Sequence, residues 1–342
     1  MTKHKNQLVP DQIVKENFQY IQRFRNQPLT KNTAVSIFAD LVKEKLEKVY
    51  PYYSYEEIAN LLVKNLEEIN DNNMNFCTNI LTIARWYYCG RQMYKFDEGL
   101  SKLLSNQNKS DVTISIETLK HLPCDNFFVE RQFNNSLGFF VSVDEEAVTI
   151  VDLHSNDNLS IDTVPTLYPI TEQATLRGLF ENAIKANSNK TGKYLSSDSE
   201  EVQQTTDKAV DIACEKFQYI AYLSAINAEI EPVTKGAITK RISSTNDNPK
   251  STTQPKTQIS NVGYRVGASL KSKQTNITYI DKNKLSEHRG TPKAPHIRRS
   301  HFHSFWTGSG ENKTLVVKWI GAVFVNGDKD INTTTLHTIK EE

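Results

Sequence analysis

Apolar residues in the first third of the chain return every three or four positions. Ile58, Leu61, Leu62, Leu66 and Ile69 share one face of a 3.6-residue repeat, and Ser54 stands three residues before Glu57, the spacing of a capping box. The pattern predicts a helix opening at Ser54. A second periodic stretch, Cys77, Ile80, Leu81 and Ala84, runs into Arg85-Trp86-Tyr87-Tyr88-Cys89-Gly90-Arg91-Gln92-Met93-Tyr94. This aromatic cluster is expected in the core, with Gly90 marking either a close helix contact or a helix end.

From Asn126 the period changes. Phe127 to Glu130, Leu137 to Val143 and Ala147 to Leu153 are short β-rich runs, separated by the turn sequences Asn134-Asn135-Ser136 and Asp144-Glu145-Glu146. An antiparallel meander is the natural reading. Helical periodicity returns over Thr171–Ala186 and Asp207–Asn227, where Ala209, Ile212, Ala213, Phe217, Ile220 and Leu223 keep the 3.6 period. Asn187–Thr206 and Ser243–Ser260 are polar and read as connectors. Beyond them, Gln274–Ile280 and the runs around Trp319 suggest a small β-rich unit with a bend at Gly321 or its neighbours. There is no internal repeat.

The expected fold is therefore α+β. A mainly helical N-terminal part carries a small antiparallel sheet and is followed by a small basic β-rich C-terminal unit. The expected divisions are a helical region at 1–120, an α+β region at 121–242, a linker at 243–260 and a C-terminal domain at 261–342.

Composition narrows the classes. The chain has 342 residues, 38% hydrophobic and 24% charged, within the globular range. Met1–Gln22 has no apolar run long enough for a signal peptide, and no later stretch approaches a bilayer span, so the expected address is the cytoplasm. Cys77, Cys89, Cys124 and Cys214 show no C-x-x-C pair and are expected as reduced thiols. The net charge of +1 conceals an asymmetry: residues 235–325 hold 16 Lys and Arg against 4 Asp and Glu, a net of +12, which leaves −11 for the remainder. A polyanion or an acidic surface is the partner such a basic segment suggests, although basic faces also serve simply to solvate.

Candidate chemistry concentrates in one block of that basic segment, from Pro295 to Gly310, and in the apolar run Leu315–Asn326 behind it. His296, His301 and His303 lie among Lys293, Arg298, Arg299, Phe302, Phe305 and Trp306, with Lys318 and Trp319 following. In an extended strand His301 and His303 leave the same face, a start for a metal site, but no thiolate lies close, and no metal or other cofactor is expected. Used on RNA, the Arg and Lys residues meet phosphates and the aromatic rings stack on unpaired bases. A histidine pair beside arginines is also a candidate general acid and base for RNA cleavage, making His301, His303 and His296 the candidate catalytic residues. The plain alternative is that Phe302, Phe305, Trp306 and Trp319 build a small core whose rim carries the Arg and His. Phosphate-loop, dinucleotide, nucleophile-elbow and zincin motifs are absent from the sequence.

Pro295-His296-Ile297-Arg298-Arg299, His301 to His303, Trp306, Gly308, Gly310 and Ala322 to Asn326 resemble one family of type V-A anti-CRISPR proteins. Its members lower production of the type V-A effector nuclease. Weaker similarity extends through Tyr264-Arg265-Val266-Gly267, the helix around Tyr219–Pro232, Leu122-Pro123 and an aromatic helix over Ile83–Phe96. The resemblance implies recognition of the effector's N-terminal peptide as it leaves the ribosome, followed by loss of the message being translated, in the cytoplasm of a bacterial host. Implied partners are that peptide, messenger RNA or the ribosome, and a host ribonuclease; no membrane is involved. The acidic part of the chain would take a basic peptide and the basic unit would face RNA. Two readings follow: a binding adaptor that leaves RNA destruction to host nucleases, or a ribonuclease centred on the His-Arg block. The adaptor is favoured, because no Asp or Glu lies between Thr291 and Gly310 to orient an imidazole.

Overall fold

The computed structural model describes residues 8–49, 54, 57, 71–105, 113–133, 136–145, 147–155, 161–169, 174–175, 200–235, 256–266, 296–298, 300–321 and 323–325. In chain order, α1 is Val9–Glu16, α2 Phe18–Ile21, α3 Lys31–Val49 and α4 Asp71–Tyr88. Strand β1 (Gln92–Phe96), helix α5 (Glu98–Ser105), strand β2 (Thr113–Ile114) and helix α6 (Ile116–Leu119) follow. Next come β3 (Asn126–Phe133), β4 (Ser136–Val143), β5 (Ala147–Ser155), β6 (Ile161–Pro169) and β7 (Ala174–Thr175). Helix α7 (Glu200–Ser224), β8 (Ile230–Pro232) and β9 (Gln258–Val262) precede β10 (His296–Arg298), β11 (His301–Thr307), β12 (Thr314–Ile320) and β13 (Val323–Val325).

The chain divides into two compact units. The first comprises Met1–Lys95, Pro123–Ile170 and Glu231–Ser260; the second comprises Phe96–Leu122, Thr171–Ile230 and Asn261–Glu342. The α+β class holds, with helices leading a sheet as the patterning requires.

In the first unit the sheet runs in the order β6-β5-β4-β3-β1-β9-β8. Strands β3 to β6 are the expected antiparallel meander, and the Asp144–Ala147 turn is closed by the Asp144 carboxylate accepting the Ala147 N–H at 2.8 Å. Phe127, Phe128 and Val129 are all fully buried, as are Phe139, Phe140 and Val141, so both faces of these strands are covered. Helix α4 supplies one cover, with Trp86 edge-on to Phe140 at 5.4 Å between ring centres. Ile13, Ile21, Phe24 and Ile37 from the N-terminal helices complete that core.

The sheet is larger than a meander because β1 joins it, parallel to β3. A helix carried through to Phe96 is thus corrected: α4 stops at Tyr88. Gly90 takes a φ of +101°, and the Arg91 N–H reaches back to the Trp86 carbonyl at 3.1 Å, which together reverse the chain. The Trp86 indole then donates to the Gln92 carbonyl at 2.7 Å, tying the new strand to the helix it left.

Other expectations shift at their edges. Ser54 and Glu57 form the predicted capping box, the Ser54 N–H reaching Glu57 Oε2 at 2.7 Å and the Glu57 N–H reaching Ser54 Oγ at 3.3 Å. The remainder of that helix lies outside the described residues, as does the strand expected over Gln274–Ile280. Where a helix was expected from Thr171, Ala174–Thr175 instead pairs as strand β7 with β2; positions 176–186 lie outside the described residues. Helix α7 begins at Glu200, inside the stretch read as a connector, and ends at Ser224. Gln258–Ser260, read as the end of a linker, belong to β9.

In the second unit, Asp97 caps α5 by accepting the Gly99 and Leu100 N–H groups at 2.8 and 3.2 Å. Helix α7 is the spine: Phe217, Tyr219, Ile220, Tyr222 and Leu223 are buried, and Phe96 packs edge-on to Tyr219 at 4.8 Å. Among the described residues no helix is long and apolar enough to cross a membrane.

Candidate functional site

Strands β11 and β12 form an antiparallel ribbon in which His301 faces Ile320, Phe302 faces Trp319, His303 faces Lys318, Phe305 faces Val316 and Trp306 faces Leu315. The alternation of β-branched and aromatic residues suits a pleated ribbon. Its turn requires glycine at Gly308, whose φ is +91° and where a Cβ would lie 2.2 Å from the Asn312 carbonyl oxygen. Beyond the ribbon, β10 pairs with β13, Arg298 opposite Val323. The two ladders are separate: one ends at the Arg298–Val323 pair and the other begins at the His301–Ile320 pair.

The ribbon is seated through β12. Trp319 is 6% exposed and edge-on to Tyr222 at 5.4 Å, and Val316 and Val317 are buried with it. Among the described residues, the strand's far edge is met by side-chain and loop groups. The Asn227 side chain donates to the Trp319 carbonyl at 2.8 Å and accepts the Trp319 N–H at 2.9 Å. The Ile226 N–H donates to the Val317 carbonyl at 2.9 Å. His121 Nε2 lies 3.0 Å from the Leu315 carbonyl, an acceptor only, so that nitrogen carries the proton.

The same corner gathers the Tyr264–Val266 segment. Glu229 accepts the Arg265 and Val266 N–H groups at 2.9 and 3.2 Å, and its own carbonyl accepts the Gly263 N–H at 3.0 Å. The Glu229 N–H in turn donates to the Tyr222 hydroxyl at 3.3 Å. Burial raises the Tyr222 phenol above its ordinary range, against the opposing hydrogen bond from the Glu229 N–H and with the Glu229 charge adding to it, keeping it neutral. Tyr222 is thus the meeting point of α7, the ribbon and the Gly263 turn.

Strand β11 differs from β12 in having no buried side chain. His301, His303 and Lys318 are exposed on one face, with the Phe305 ring 6.0 Å from that of His303. On the other face Trp306 is 55% exposed, Ser304 is exposed and Phe302 is half-buried opposite Trp319. The structure therefore brings together His301, His303, Phe305 and Lys318, and turns Trp319 inward. Trp319 is buried, its ring edge-on to Tyr222. The backbones of His296 and Arg298 lie in β10, outside the β11–β12 ladder; Lys293 and Arg299 lie outside the described residues. Among the described residues no group of three or more His, Cys, Asp or Glu is placed to hold a metal ion.

Sequence reasoning missed the seat itself, Tyr222, Asn227 and His121. An Asn three residues past a helix end reads as a local cap, and nothing in its neighbourhood announces a strand.

The profile of the AcrVA2-like family, anti-CRISPR type V subtype A2, matches residues 94–327, more than half of the chain and the whole of the ribbon. No curated protein matches the chain.

Proposed function

Because the chain belongs to the AcrVA2-like family of type V subtype A2 anti-CRISPR proteins, we propose that it blocks production of the type V-A effector nuclease by recognising the nascent N-terminal peptide during translation and triggering loss of the message. The observation that carries this reading is the family match, which spans both the block of His, Arg and aromatic residues and the helix that seats it. The protein works in the cytoplasm of the bacterial host. It joins peptide recognition to an effect on RNA within one chain, and the net of +12 on residues 235–325 favours contact with messenger or ribosomal RNA.

In this reading the protein is an adaptor and a host ribonuclease destroys the message. His303 sits on an exposed ribbon face across from Lys318, and a general base works best in a water-excluded site with a third group to orient it. Lys318, the residue across the ribbon, is a cation and supplies no such orientation.

The test is the effector transcript level in cells co-expressing this protein. One reading frame is intact; the other has its early codons recoded to change the N-terminal peptide while barely altering the RNA. Loss of the intact message alone is the expected result, and equal loss of both would overturn peptide recognition. His301→Ala with His303→Ala separates the adaptor from the ribonuclease, since purified adaptor leaves RNA intact with or without the substitutions.

A further inference from the structure

The Asn227 clamp fixes more than the seat. Because both the N–H and the C=O of Trp319 point to Asn227, Trp319 and Phe302 form a pair that is not hydrogen-bonded to one another. Alternation along the ladder then aims the N–H and C=O groups of Phe302, Ser304 and Trp306 away from β12, along the outer edge of β11. Among the described residues β11 pairs with β12 alone.

Exposed strand edges are ordinarily blunted by prolines, charges or brevity. The other sheet edges here follow that rule. Strand β6, which ends the large sheet, contains Pro165, Pro169 and Asp162, and β8 at the opposite end is the three residues Ile230–Pro232, including Glu231. Over its seven residues β11 holds no Pro, Lys, Arg, Asp or Glu, and it offers accessible aromatic side chains on both faces. A two-stranded ribbon is also marginal alone and gains from a third strand.

We propose that β11 is the capture edge for the nascent peptide: an extended segment of the effector's N-terminus adds beside β11 as a third strand. This assignment rests on the adaptor reading above and locates its recognition site. Main-chain bonds to Phe302, Ser304 and Trp306 supply affinity. Alternate peptide side chains meet Phe302 and Trp306 on one face and His303 and Phe305 on the other. With Lys318 and Lys313 exposed on the same ribbon, the edge suits a segment whose alternating side chains are apolar or acidic, and this placement replaces the expectation that the acidic part of the chain takes a basic peptide.

Ser304 provides a selective test. Its N–H faces outward, so Ser304→Pro removes an open donor and obstructs the edge while leaving the β11–β12 ladder intact; Ser304→Ala keeps the donor. The probe is a fluorescent synthetic peptide carrying the first residues of the effector nuclease, bound to the full-length protein. Expected are binding weakened about tenfold or more by Ser304→Pro and unchanged by Ser304→Ala, with slowed amide exchange at Phe302, Ser304 and Trp306 when the peptide is present. Unchanged melting temperature and unchanged exchange at Trp319 show that the ribbon still folds in the Pro variant. Peptide binding that survives Ser304→Pro in a folded ribbon overturns the proposal. So does a Ser304→Pro variant that keeps the peptide but loses single-stranded RNA, whose binding is marked by steep salt dependence; the edge would then be an RNA surface. Recoding of the early codons judges the adaptor reading independently: if recoding spares the transcript while Ser304→Pro leaves binding intact, the edge assignment alone falls.

Discussion

A single amide, Asn227, stands in for a strand. Asn227→Ala would strip both main-chain groups of Trp319 of their partners beside a buried ring, at a cost of about 2 kcal/mol to local stability. The check is amide exchange at Trp319, which should quicken about tenfold or more, with Asn227→Asp intermediate because it retains the acceptor and loses the donor. A different residue-scale device lies in the first unit, where the Tyr94 hydroxyl and Cys124 Sγ are 3.6 Å apart and the thiol donates to the Asn126 carbonyl at 3.6 Å. Burial pushes the Cys124 thiol up to about 12 and, with Cys124 adding to it, lifts the Tyr94 phenol far above its ordinary range. Their reference values in an open chain are 9.0 and 10.0, so the unfolded state releases these protons first. The stability they contribute is therefore complete below pH 9 and declines as pH rises from 9 toward 12. Chemical denaturation across that window should show the decline, and Tyr94→Phe should flatten it.

At the scale of elements, Gly308 decides the ribbon. Gly308→Ala combines a positive φ with contact on the Asn312 carbonyl, for a cost of about 1–3 kcal/mol, whereas at Gly310 a Cβ meets nothing within 4 Å. Gly310→Asn, suited to its φ of +61°, should leave the hairpin's exchange protection unchanged while Gly308→Ala diminishes it. The elements legible in the sequence were those whose signal is local. The meander announced itself through apolar runs divided by Asp-rich and Asn-rich turns, the capping box through Ser54 and Glu57, and the pairing of His301 with His303 on one face through simple alternation. Strand β1 was obscured because Gln92-Met93-Tyr94 continues an aromatic cluster, and only the conformation at Gly90 separates strand from helix. The ribbon's seat was invisible for a different reason: Asn227 and His121 find β12 across 92 and 194 residues, and no spacing encodes such a contact.

For the whole molecule, charge and fold divide the work. The basic 235–325 segment includes the ribbon, while the acidic remainder supplies most of the large sheet and its covering helices. Recognition on main-chain atoms and attraction of RNA by fixed charge respond differently to salt, so raising ionic strength should separate the two activities in one preparation, RNA association falling first. The closed far side of β12 sets a limit on assembly as well. Two copies of the chain meeting edge to edge through β11 would form a four-stranded sheet with a sealed strand at either end, a symmetric pair that cannot grow into a fibre.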